Sequence, residues 1–253
     1  MTESFSVLAN VLLRGATLFG RFCFIFVAAK YLPLDELGGY SLIAVTVGYA
    51  LYLVGLDFYT YSTRQVIGSP ESIQANLILN QFRVYLLSFA LVSPVLITLF
   101  IYDFLNWQWA AYFYALLFTE HFSQEIVRLL VALGRPLKAS VILFLRGAGW
   151  SYLVTILFFL DASPRNLETI LQLWLASSAL SLLVGLLWLP FVPWTKLFES
   201  LPERKWVLKG IKVALPFLAS TLALRAIFTL DRYAIETLDG IAALDDPYYQ
   251  RRN

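Results

Sequence analysis

Of the 253 residues only one is a cysteine and only one a histidine. A lone Cys23 excludes an intrachain disulfide, and His121 with no cysteine or histidine partner gives none of the usual zinc or redox ligand patterns. Charge is also scarce. Asp, Glu, Lys and Arg make up 14% of the chain against 59% hydrophobic residues, too little polar surface to coat a soluble globule. The net charge of +2 includes no basic block or arginine-rich arm interleaved with stacking aromatics, so nothing here suits nucleic acid. The start, Met-Thr-Glu-Ser, lacks the positive n-region of a cleaved signal, and a retained first crossing is expected. Between the apolar runs there is no long loop to carry an extracytoplasmic catalytic site. The only Asp-Asp pair, Asp245-Asp246, falls in the polar tail, so a glycan polymerase or prenyl transferase is disfavoured. No enzyme activity, cofactor or metal is expected.

What the chain does have is long apolar runs, with a mean hydropathy of +0.70. At about 20 residues per crossing they predict an all-α polytopic membrane protein of about seven spans, over residues 7–32, 40–61, 82–101, 108–133, 139–160, 167–192 and 213–238. Residues 65–80 read as an exposed polar connection, and Pro94 as a kink in the third span. The organisation expected is a six-helix bundle over 1–192, a cytoplasmic interfacial linker over 193–212, a seventh span over 213–238 and a polar tail over 239–253. Lys and Arg near the span ends divide ten against two between the sides, which predicts a cytoplasmic N-terminus. In the sixth span Ser177, Ser181 and Gly185 form a small-xxx-small face suited to helix packing, and Gly147 and Gly149 permit close backbone contact in the fifth.

The first span carries Arg14 and Arg21, seven residues apart and so on nearly one helical face. Arg14 can snorkel to the interface near Val7, whereas Arg21 lies near mid-span, too far from either surface. A cation held at depth calls for an anion. Arg225 and Arg232 repeat the pair 211 residues later, in a second copy that follows the linker and then stops, as a fragment or truncated product would. The fourth span gathers Glu120, His121, Gln124, Glu125 and Arg128. His121 with Glu125 (i,i+4) and Glu125 with Arg128 (i,i+3) read either as a buried structural network or as a proton or ion relay. Asp57 reads as an interfacial carboxylate paired with Arg64, or as a functional group.

Taken together, several segments resemble the polysaccharide and O-antigen flippases of the multidrug/oligosaccharidyl-lipid/polysaccharide exporter superfamily. They are the arginine-bearing first span, Glu36-Leu-Gly-Gly-Tyr40, Gly55-Leu-Asp-Phe-Tyr-Thr-Tyr-Ser-Thr-Arg64, Ala132-Leu-Gly-Arg-Pro136 and Leu230-Asp-Arg-Tyr-Ala-Ile-Glu236. The resemblance implies a multi-pass protein of the bacterial inner membrane with two six-helix bundles, here the first bundle and one helix of the second. It implies translocation of an undecaprenyl-diphosphate-linked glycan for O-antigen, capsule or exopolysaccharide synthesis. The partners it implies are that lipid-linked glycan, membrane lipids and polysaccharide polymerase or assembly proteins. On this reading Arg14, Arg21, Arg225 and Arg232 line a cationic cavity for the diphosphate, and Asp57, Glu120, His121, Glu125 and Asp231 are candidates for ion coupling. The rival readings are a cation antiporter of the same superfamily, which would favour an acidic cavity, and a non-transporting membrane partner subunit.

Overall fold

The computed structural model describes residues 2–161 and 164–245, with side chains from Ser6 to Ile227, those of 162–163 apart, and at Leu230. The chain is all-helical, with no strand among the described residues. Six helices are long and apolar enough to cross a membrane, which makes this a multi-pass membrane protein by length and composition. They are α1 (Thr2–Tyr31), α2 (Leu34–Gly55), α4 (Glu71–Leu96) continued by the short α5 (Thr98–Ile101), α7 (Pro136–Phe144) continued by α8 (Trp150–Phe159), α9 (Leu167–Leu187) and α10 (Arg204–Asp245). Helix α6 (Ala110–Ala132) is more charged but equally long. Phe100 meets Trp107 just before it begins, and Arg135 reaches the Trp188 carbonyl at the end of α9 just after it stops, so α6 also runs the height of the bundle.

Local chemistry sets the helix ends. Pro33 and Pro70 precede α2 and α4, each of which has acidic residues in its first turn, where the helix dipole favours them. Helix α2 stops at two successive left-handed residues, Leu56 (φ 52°) and Asp57 (φ 47°), and the chain turns into α3 (Tyr59–Ile67). The second span therefore ends at Gly55, six residues short of the expected boundary. After α6, Gly134 (φ +69°) and Pro136 form a stop and a restart in three residues. Asn166 caps α9 by accepting from the Thr169 amide at 2.9 Å, and the Glu36 carboxylate accepts from the Leu167 amide.

Two expectations need correction. Residues 65–80 are an exposed connection only in part: Ile67, Gly68 and 70–73 are exposed, but α4 begins at Glu71, and Ile78 and Leu79 are buried, because apolar side chains at helical spacing carry the helix beyond the hydrocarbon run. The stretch expected as a linker over 193–212 is one only as far as Glu203. Pro202 follows a short 3₁₀ turn at Trp194–Lys196, and from Arg204 the chain is already α10, which continues past Leu238 to Asp245. The tryptophans of this stretch pack inward, Trp194 on Phe82 at 4.9 Å and Trp206 on Phe58 at 5.1 Å between ring centres. A Cβ on Gly210 would lie 2.3 Å from the Phe58 ring, so only glycine allows α10 this close.

The interior has two apolar cores. One gathers Phe24, Val54, Phe113, Leu117, Phe158 and Leu171, and the other Phe82, Ile126, Leu129, Leu130, Ile142 and Leu189. Along α4, α6, α7–α8 and α9 the change from one to the other falls at polar residues: Ser88; Glu120 and His121; Arg146; Ser177, Ser178 and Ser181. A polar layer thus crosses the bundle between its two ends. Outward, α1 presents Val7, Leu8, Val11, Leu18, Phe22 and Phe26, the surface expected of a helix facing lipid tails.

Candidate functional site

Between α7 and α8 lies one π-helical turn, Leu145–Gly149, whose wider ring loosens the carbonyl ladder. Side chains from neighbouring helices take up the carbonyls: Arg21 Nε of α1 donates to the Gly147 carbonyl at 2.7 Å, and Ser177 Oγ of α9 donates to that of Leu145 at 2.5 Å. The small residues of the turn make this possible. A Cβ on Gly147 would sit 3.2 Å from an Arg21 terminal nitrogen, and one on Gly149 would be 2.8 Å from Ser177 Oγ. The Gly147–Gly149 and Ser177–Gly185 faces are close-packing surfaces, as the sequence predicts, with Gly185 against Ile126 and Ile142.

The same turn presents Arg146 to α6. Its Nε pairs with Glu120 Oε2, and one terminal nitrogen donates to Gln124 Oε1 at 3.1 Å. The other Glu120 oxygen accepts from Trp174 Nε1 at 2.8 Å and from Ser178 Oγ at 2.5 Å. Trp174 stacks on Trp150 at 5.4 Å, and Trp150 meets the edge of Phe24 at 4.7 Å. Across from this wall, Arg225 of α10 donates to Tyr52 Oη at 2.9 Å with its guanidinium over the Tyr52 ring.

These side chains line a partly open cavity of about 390 Å³, with Arg21, Tyr40, Tyr52, Glu120, Gln124, Arg146 and Arg225 as its polar lining. Three guanidiniums face one carboxylate, on walls completed by Phe24, Trp150 and Trp174. Planar, permanently ionised donors in an apolar surround suit an anion with several oxygens. A larger opening of about 760 Å³ lies at the start of α2, beside Asp35, Glu36, Asp103, Asn106 and Trp109. It is acidic, and its Glu36 is already engaged in capping α9.

Of the residues expected to line a cationic cavity, Arg21 and Arg225 meet there, and Glu120 joins them. Arg14 does not. Like Arg21 and Arg225 it is exposed, but its Nε lies 3.5 Å from Ser140 Oγ, a residue one helical turn from the start of α7 and so near the bundle's end, while Asn10 accepts from the same hydroxyl. Seven residues place Arg14 on the face of Arg21 but about 10 Å away along the axis, which takes it out of the cavity. The side chains of Arg232 and Asp231 lie outside the described residues. Asp57 is buried in the turn between α2 and α3, where its carbonyl accepts from the Thr60 amide, away from this lining.

His121 and Glu125 are also elsewhere. The expected His121–Glu125 contact does not form. Glu125 points to α4, accepting from Tyr85 Oη at 2.6 Å and from Gln81 at 3.4 Å, and it pairs with Arg128 at 2.5 Å as the i,i+3 spacing predicts. Fully buried, His121 packs against Gly55 and the Tyr85 ring, and neither ring nitrogen has a hydrogen-bond partner among the described residues. Arg146 is the cavity-lining arginine that the sequence reading did not single out. The rule that singled out Arg21, a cation deep in an apolar run, applies equally to it. Among the described residues no group of three or more His, Cys, Asp or Glu could hold a metal ion. No family model, curated protein or solved structure matches this chain.

Proposed function

We propose that this protein moves an anionic lipid-linked glycan, of the undecaprenyl-diphosphate class, between the leaflets of a bacterial inner membrane. The diphosphate would rest in the cavity of Arg21, Arg146 and Arg225, and the cavity would be exposed to each membrane face in turn. One observation carries the reading: three guanidiniums from three different helices converge on one chamber part-way along the bundle, with a single carboxylate among them. Carrying a phosphoryl charge through a low-dielectric slab is opposed by a large desolvation cost, and preplaced guanidiniums substitute for the lost water. Arg21 and Arg225 each bond to a neutral oxygen, from which an anion can draw them at modest cost. A cation antiporter would instead need a free carboxylate, and Glu120 already accepts from Arg146, Trp174 and Ser178.

The test is transbilayer movement of a fluorescent short-chain isoprenyl-diphosphate glycan in liposomes containing the full chain. Arg21→Ala and Arg225→Ala should each slow it. Arg21→Lys should slow it too, because an ammonium keeps the charge but loses the planar fork. Rates equal to wild type in all three variants would overturn the proposal.

A further inference from the structure

We infer that Glu120 sets how many negative charges the cavity accepts, by keeping Arg146 neutralised within the protein. The inference rests on the reading of this chamber as an anion site and concerns its selectivity.

The three arginines are engaged differently. Arg21 and Arg225 each bond through one nitrogen to a neutral oxygen, the Gly147 carbonyl or the Tyr52 hydroxyl. Arg146 instead holds a carboxylate through Nε and an amide oxygen through a terminal nitrogen. Its partner is anchored in turn: Glu120 is 4% exposed, and both Trp174 and Ser178 of α9 donate to its second oxygen. Such a carboxylate cannot swing aside to release Arg146, because leaving would strand two buried donors. Glu120 and Arg146 therefore form a fixed internal pair, and the chamber offers a ligand the charges of Arg21 and Arg225. In a site of low dielectric any unmatched charge is costly, so the count selects the ligand. A diphosphate diester brings one charge for each of the two free guanidiniums. A phosphate diester leaves one guanidinium unmatched.

The experiment measures equilibrium binding to the full chain in nanodiscs. The probes are a farnesyl-diphosphate monosaccharide, the matching farnesyl-phosphate monosaccharide, and farnesol as the uncharged control. Wild type should prefer the diphosphate over the monophosphate by about tenfold or more. Glu120→Gln keeps an oxygen for Trp174 and Ser178 but frees a third cation, and should bind the diphosphate about tenfold more tightly than wild type. Arg146→Gln should weaken it, and Glu120→Gln with Arg146→Gln should return to the wild-type value, because the charge count is restored. If the pair served only to hold the helices together, both single variants would weaken binding, and that result overturns the inference. Wild type holding the diphosphate, with Arg21→Gln losing it and Glu120→Gln unchanged, would also overturn the inference while leaving the anion site in place. Farnesol binding wild type as tightly as the diphosphate would instead remove the anion site itself, and the proposed function with it.

Discussion

Glu120 and Glu125 stand five residues apart on α6, each fully or almost fully buried and each paired with an arginine. Around Glu125 both carboxylate oxygens are taken, by Tyr85, Gln81 and Arg128, and the face of the Tyr59 ring lies 3.7 Å from the Arg128 guanidinium carbon. Around Glu120 the same chemistry opens on one side to a chamber holding two further guanidiniums. Residue type is nearly constant between the two clusters, and what separates them is that Glu120 and Arg146 line the cavity whereas Glu125 and Arg128 do not. Helix geometry supplies that difference, since five residues turn α6 by well over a full turn and bring its side chains against different neighbours.

The contrast is tested most severely at the Glu125 cluster. Glu125→Ala leaves Arg128 uncompensated and the Tyr85 hydroxyl without its acceptor, and should destabilise the fold by about 3–5 kcal/mol, read as a large drop in thermal stability in detergent. At the Glu120 cluster Trp174→Phe keeps an aromatic ring against Trp150 but removes a donor to a carboxylate. A smaller loss of about 1.5–3 kcal/mol in the same measurement is expected. Arg21→Gln should leave thermal stability close to wild type while lowering affinity for an isoprenyl diphosphate by about tenfold. Arg14→Gln should change neither quantity measurably, because Arg14 lies outside the cavity and its hydrogen bond to Ser140 is a long 3.5 Å approach. Equal losses of affinity from Arg14→Gln and Arg21→Gln would mean that depth does not distinguish them.

Much of this architecture is legible in the sequence. Apolar run lengths locate the crossings because a bilayer fixes the length a helix needs, and a cation deep in such a run singles out both Arg21 and Arg225, although the 211-residue offset matches Arg225 to Arg14 and not to its cavity neighbour Arg21. The close-packing role of Ser177, Ser181 and Gly185 follows from size alone. Spacing puts Arg14 and Arg21 on one face but does not by itself separate them in depth; the distance of each from the span end does. Spacing is also silent on rotamer: His121 and Glu125 share a face, yet Glu125 turns toward the hydroxyl of Tyr85 and His121 fills the gap beside Gly55. The π turn that presents Arg146 is a backbone irregularity set by packing against α1 and α9, with glycines its only trace in the sequence.

Helix α10 runs unbroken from Arg204 to Asp245, about 63 Å of rod, and at Gly210 it lies close against Phe58. Arg225 lies about 22 Å further along that rod, so a tilt of roughly ten degrees about Gly210 would carry its guanidinium by about 4 Å. Pro216, between the two, supplies a point at which the rod can bend. A small rocking of the Trp206 end against Phe58 and Tyr61 would thereby be geared up at the far arm of the lever, carrying Arg225 while Arg21, tied to the π turn, stayed still.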